Sequence, residues 1–169
     1  FFMKSAVLTD STDNLDQETI DKYGIKVVPI PYIIDGTEYQ DGVDLTRPEF
    51  YEKMRNAKDF PTTSQPPVGE MINLYNQLAD EGYDAVISIH IAGTISGLMT
   101  TLNNLKGQLD NIKLYPIDSS ITEVPMGWMV KLAARMAAQN EDAEKIVAAV
   151  EQLKKQYDAV FVADDLKNL

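Results

Sequence analysis

The sequence predicts an α/β fold, a mostly parallel sheet with helices on both faces. Three observations carry this expectation. Short β-branched runs alternate with helical stripes at least four times along the chain, and that alternation calls for crossover units. The run Ala85-Val86-Ile87-Ser88-Ile89-His90-Ile91 is apolar at nearly every position, as in a strand covered on both sides. Most strand candidates end in Asp, Ser, Thr or Gly before a helical pattern begins, which fits right-handed strand-helix-strand connections. With 169 residues, 44% of them hydrophobic, the chain suits a single domain over residues 1–169.

Each element follows from local chemistry. Ser5-Ala6-Val7-Leu8-Thr9 reads as a first buried strand, stopped by the capping residues Asp10-Ser11-Thr12-Asp13. Leu15, Ile20 and Tyr23 continue at helical spacing until Gly24. Ile25 to Ile34 is β-branched but interrupted by Pro29 and Pro31, which moves it to an edge or bends it. Asp35-Gly36 signals a hairpin, with Thr37-Glu38-Tyr39-Gln40 returning and Asp41-Gly42 turning again. A small β-hairpin insertion is therefore expected near 32–44. Thr46, Pro48 and Glu49 spell a capping box with proline in the first turn.

Further along, Val68, Ile72, Tyr75 and Leu78 make a helical stripe, and Leu98 to Lys106 forms another helix. Lys113-Leu114-Tyr115-Pro116-Ile117 reads as a strand ending in Asp118-Ser119-Ser120. Helices are expected over about 123–139 and 142–157. Ala159-Val160-Phe161-Val162 reads as a last strand.

Composition narrows the function. The formal charge is −11, from 26 acidic and 15 basic residues, which argues against a nucleic-acid partner. The absence of cysteine excludes disulfides and thiolate chemistry and favours a reducing, cytoplasmic setting. No apolar stretch approaches a membrane span, and nothing resembles a signal peptide. Met3 reads as the natural start, with Phe1-Phe2 as foreign residues before it.

In an open α/β sheet, ligands bind beyond the carboxyl ends of the strands. The segments expected there are Asp10-Ser11-Thr12, Gly93-Thr94-Ile95-Ser96-Gly97 and Asp118-Ser119-Ser120. Thr62-Thr63-Ser64, within Phe60-Pro61-Thr62-Thr63-Ser64-Gln65-Pro66-Pro67, precedes another helix. Capping explains any one of them. Together they suggest a pocket for an anion or polar head group, built from hydroxyls and helix N-terminal amides.

Catalytic patterns fit poorly. Ser96 lacks the Gly-x-Ser-x-Gly spacing of a nucleophile elbow. The single histidine, His90, lies in an apolar strand, where a satisfied core residue is the plainer reading than a base. Neither a phosphate loop nor a dinucleotide fingerprint is present. Asp10 and Asp118 could pair around Mg²⁺, so a metal-dependent hydrolase or phosphotransferase using Asp10, Asp118 and Ser96 stands as the alternative. Met126, Met129 and Met136 read as adaptable core.

Val7-Leu8-Thr9-Asp10-Ser11-Thr12, Tyr23-Gly24-Ile25, Val28-Pro29 and Asp41-Gly42-Val43-Asp44 resemble the DegV family. So do Thr62-Thr63-Ser64-Gln65-Pro66, Ser88-Ile89-His90-Ile91 with Ser96-Gly97, Ile117-Asp118-Ser119 and Asp164-Asp165-Leu166. The motifs are collinear and cover the chain. The resemblance implies the N-terminal α/β domain of a bacterial lipid-binding protein, with the family's second domain missing or truncated after about 165. It implies a long-chain fatty acid as ligand, no catalytic residue, no metal and no cofactor beyond that ligand. The implied partner is the ATP-binding subunit of a fatty acid kinase, with transient contact at a membrane surface.

Matching the motifs puts the acyl carboxylate against Thr63, with Thr62 and Ser64 beside it, and against Ser96, with Thr94 and Gly97 beside it. Asp10, Ser11, Asp118 and Ser119 become secondary pocket candidates. Two departures stand out: Ala92-Gly93 replaces a common Ser-Ser, and Leu98 replaces a frequent Thr. The second-domain histidine that the family uses on the carboxylate has no counterpart in the chain.

Overall fold

A computed structural model describes residues 3–90, 97–120 and 124–165. The main sheet is four-stranded, in the order β2-β1-β6-β7. Its strands are β1 (Ser5–Asp10), β2 (Lys26–Val28), β6 (Ala85–His90) and β7 (Lys113–Asp118), all paired in parallel. Every residue of β1 and β6 is buried, as the apolar run at 85–91 predicts for central strands.

The second sheet has the order β4-β3-β5 and is antiparallel. Strands β3 (Pro31–Ile34) and β4 (Thr37–Gln40) form the expected hairpin. Asp35 and Gly36 take φ of 48° and 80°, the left-handed values that a two-residue turn between twisted strands requires. The third strand, β5 (Thr62–Thr63), joins from outside the hairpin and pairs with Tyr32 and Ile33 of β3.

Helices cover both faces of the main sheet. On one face α3 (Val68–Asp80) and α4 (Leu98–Leu105) pack Met71, Tyr75, Leu78 and Leu102 against Leu8, Val86 and Leu114. On the other, α5 (Val124–Ala138) and α6 (Ala143–Asp165) pack Met126, Met129, Val130 and Ile146 against Val7, Ile87 and Ile89. The methionines at 126 and 129 are fully buried core. Helix α1 (Gln17–Tyr23) lies on this second face through Ile20 and Tyr23. Its cap is Asp16, accepting from the Thr19 amide, and Gly24 ends it at φ 61°.

Helix α2 (Arg47–Asn56) starts at the predicted capping box, with Thr46 and Glu49 bonded reciprocally. None of its residues is buried; Phe50 makes an edge contact with Tyr32, ring centroids 4.8 Å apart.

Two expectations change. Thr62 and Thr63 do not open a helix; they form β5, and α3 begins only at Val68 after Pro67, without a side-chain cap. β-Branched threonines suit strand pairing, and Pro66-Pro67 delays the helix. The strand expected at 159–162 is absent, because α6 runs unbroken through it to Asp165. No proline or glycine interrupts the chain from Ala143 onward, and extending a helix costs less than nucleating a new element.

Candidate functional site

The chain leaves β1 through α1 on one face of the sheet and returns, after β2 and the second sheet, through α3 on the other. Strand β2 lies on one side of β1 and β6 on the other. This is the topological switch point of the sheet, where the carboxyl ends of two neighbouring strands open a crevice. Asp10 ends β1 and His90 ends β6. Asp118, the end of β7, is paired in register with His90.

These ends carry a chain of buried polar groups. Asp10 caps the 3-10 turn Ser11–Asp13, accepting from the Thr12 amide at 2.9 Å and from the Thr12 hydroxyl. Its other oxygen lies 3.0 Å from His90 Nδ1. His90 Nε2 lies 2.6 Å from Ser88 Oγ, which in turn lies 2.9 Å from the Tyr75 hydroxyl. Asp10, Ser88, His90 and Tyr75 are all fully buried. Burial alone would raise the Asp10 carboxyl, but the His90 and Thr12 hydrogen bonds and the His90 attraction outweigh it and hold it below 3.8. Burial pushes the Tyr75 hydroxyl well above its ordinary value, which keeps it a donor.

One direction of donation satisfies every member. Tyr75 donates to Ser88, Ser88 donates to Nε2, and Nδ1–H donates to the Asp10 carboxylate. Serine, histidine and aspartate here stand in the order of a hydrolase triad, yet the serine has no exposed surface on which to meet a substrate. The expectation of a satisfied core histidine holds.

The turn after β1 is held from three sides. Ser11 Oγ accepts from the Ile30 amide at 2.9 Å, tying the turn to the start of the second sheet. Gly127 of α5 lies so close beneath it that an added Cβ would stand 2.8 Å from the Asp13 carbonyl oxygen. Asp13 is buried, and one of its oxygens accepts from the Leu15 amide at 2.9 Å. Its other oxygen has no hydrogen-bond partner among the described residues. Burial raises its pKa to about 6.

The segment Thr62–Pro67 joins the second sheet to α4. Thr63 pairs with Tyr32 and is half-buried, whereas Thr62 is exposed. Burial raises the Tyr32 hydroxyl, with Asp41 and Asp10 adding to the effect. The Ser64 amide donates to the Pro31 carbonyl at 3.0 Å. Gln65 Oε1 accepts from the Thr101 hydroxyl at 3.1 Å, one turn into α4. Gly97 precedes that helix at φ 62° and offers it no side-chain cap, which leaves the first amides of α4 without a cap from that residue.

Thr94 and Ser96 lie outside the described residues, as does the rest of 91–96. Asp118 is half-buried and accepts from the Ser120 amide at 2.8 Å; Ser119 is buried, and its amide donates to the His90 carbonyl at 2.8 Å. Asp10 has both oxygens engaged with protein groups, which weakens the reading of Asp10 and Asp118 as an Mg²⁺ pair. Among the described residues there is no cluster of three His, Asp or Glu side chains placed to hold a metal. The Gln65–Thr101 contact and the Ser11–Ile30 tie carry no local sequence signal, because each joins distant segments.

A family model described as "uncharacterised protein, DegV family" matches residues 4–169. The chain belongs to the DegV family. A DegV domain-containing protein of Listeria innocua is 40% identical over 166 residues, covering 98% of this chain and 59% of its own. Among solved structures, the Bacillus subtilis DegV, described as a fatty acid binding protein, superposes with a TM-score of 0.83 at 35% identity. It covers 90% of this chain, which accounts for 54% of that one. A fatty acid binding DegV family protein of Streptococcus agalactiae gives 0.82 at 33% identity, over 90% of this chain and 54% of its own. The chain thus spans little more than half the length of these relatives. Among the described residues, no helix is long and apolar enough to cross a membrane.

Proposed function

We propose that this DegV-family chain binds a long-chain fatty acid in the cytoplasm, as the non-catalytic binding component of a fatty acid kinase system. The observation that carries this reading is the meeting of the Thr62–Pro67 segment with the first turn of α4, through Gln65 and Thr101. Thr63 and Ser96 hold the carboxylate, with Thr62, Ser64, Thr94 and Gly97 around it and the first amides of α4 directed at its charge. Hydrogen bonds to a charged acceptor are about twice as strong as neutral ones. Neutral donors also leave no buried cation behind when the ligand departs.

Asp10, Ser11, Asp118 and Ser119 shape the floor of this crevice rather than touching the carboxylate. The relatives described as fatty acid binding proteins support the ligand class. A separate ATP-binding kinase subunit supplies the phosphoryl chemistry, and the acyl chain runs toward a second domain of the family.

Organic extraction of the purified full-length protein, followed by mass spectrometry, tests the reading. A stoichiometric long acyl chain is the expected result. No acyl chain, together with metal-dependent turnover of phosphate esters lost in Asp118→Asn, would favour the hydrolase instead.

A further inference from the structure

The candidate site is divided between two sheets. Thr63 belongs to the β4-β3-β5 sheet, while the loop entering α4 leaves the main sheet at His90. Something must fix the two relative to each other, because a displacement of even 1 Å would spoil a hydrogen-bonded carboxylate clamp.

The buried polar chain centred on His90 ends, in both directions, on an element that flanks the Thr62–Pro67 segment. In one direction it runs from His90 to Asp10, from Asp10 to the 3-10 turn, and from Ser11 in that turn to the Ile30 amide. Ile30 precedes β3, the strand on which β5 is laid. In the other direction it runs through Ser88 to Tyr75. Tyr75 lies in α3, the helix that Pro67 leads into.

We infer that His90 is a positioning residue of the fatty-acid site, setting the distance between β5 and the α4 entrance through Asp10 on one side and Tyr75 on the other. This inference rests on the proposed fatty-acid reading. Apolar residues of equal volume would serve stability at least as well in this position. The surrounding face is otherwise apolar, with Leu8, Val86 and Leu114 beside the polar string. What the string adds is direction. Tyr75, Ser88 and His90 each have a proton to give and the Asp10 carboxylate only accepts, so the placement of β1, β6 and α3 decides whether every buried group is paired. An apolar core slides between packings more readily than a hydrogen-bond chain does.

The test compares His90→Leu, His90→Asn and a core truncation on the opposite face, Val150→Ala, in the full-length protein. Affinity for a fluorescently labelled long-chain fatty acid is read beside thermal stability and amide hydrogen exchange. His90→Leu is expected to weaken binding about tenfold or more and to speed exchange at the Ile30 and Ser64 amides. Asparagine restores an N–H near the Nδ1 position, so His90→Asn should recover part of the affinity. Val150→Ala should lose stability with binding unchanged.

A folded His90→Leu protein that binds as wild type would overturn the inference. If His90→Leu does not fold, Ser11→Ala cuts only the tie to Ile30; unchanged affinity and unchanged Ser64 exchange there would overturn it equally. If the wild-type protein binds no fatty acid, the proposed function fails by itself. The exchange rates of Ile30 and Ser64 then decide the positioning role: faster in the variants supports it, and unchanged refutes it.

Discussion

His90 Nδ1 and Asp10 Oδ2 lie 3.0 Å apart with both side chains fully buried, at the ends of neighbouring parallel strands. The pair joins residues far apart in the sequence at the switch point of the sheet. Because the folded carboxyl of Asp10 titrates below its ordinary value of 3.8, its stabilising effect is present above that value. It is lost as pH falls through the lower, folded pKa. Asp10→Asn should therefore cost about 3 kcal/mol at neutral pH and flatten the acid limb of a urea-denaturation pH profile.

Asp13 should act with the opposite sign. Its pKa rises from 3.8 to about 6 on folding, so the folded chain holds the proton more tightly than the unfolded one. Stability then falls as pH rises from about 4 to about 6 and levels off above. Asp13→Asn removes the buried charge. The variant should gain about 1–2 kcal/mol at pH 7 and lose that slope. Chemical denaturation at several pH values checks both.

Gly127→Ala should press a methyl group onto the Asp13 carbonyl, which lies 2.8 Å from the position of the new Cβ. Backbone cannot yield as a flexible side chain can, so α5 must shift away from the turn after β1. A loss of about 1–3 kcal/mol is expected, despite the better helix propensity of alanine. Thermal denaturation measures it; a more stable variant would mean that the contact relaxes freely.

Helix α2 depends on its ends more than on burial, since none of its residues is buried. Thr46→Ala removes the hydroxyl that accepts from the Glu49 amide and donates to the Glu49 carboxylate and should destabilise the helix by about 1 kcal/mol. The effect should stay local. Hydrogen exchange should quicken over residues 47–56 and leave β6 unchanged.

Signals contained within a few residues were legible in the sequence. The Asp35-Gly36 turn, the Thr46–Glu49 box and the Gly24 stop each depend on local geometry alone, and the largely apolar run at 85–90, rich in β-branched residues, reads as a central strand. Thr62-Thr63 was not legible as a strand. Two residues carry no periodicity, and their pairing with β3 is decided by tertiary contact. The 159–162 run shows a related ambiguity, since a short apolar stretch fits strand or helix alike and here continues α6. His90 could be read as a core residue, but its partners could not: Asp10 lies 80 positions away, and only strand order brings them together. Ser96 and Thr94, proposed site residues outside the described segments, rest on motif matching alone.

The clamp itself is tested most directly by titrating a fluorescent long-chain fatty acid against the wild-type protein, Thr63→Ala and Ser96→Ala. Each substitution removes one of the proposed charge-assisted bonds, and affinity should fall about ten- to a hundredfold in each variant. Equal affinity in all three proteins would contradict the clamp.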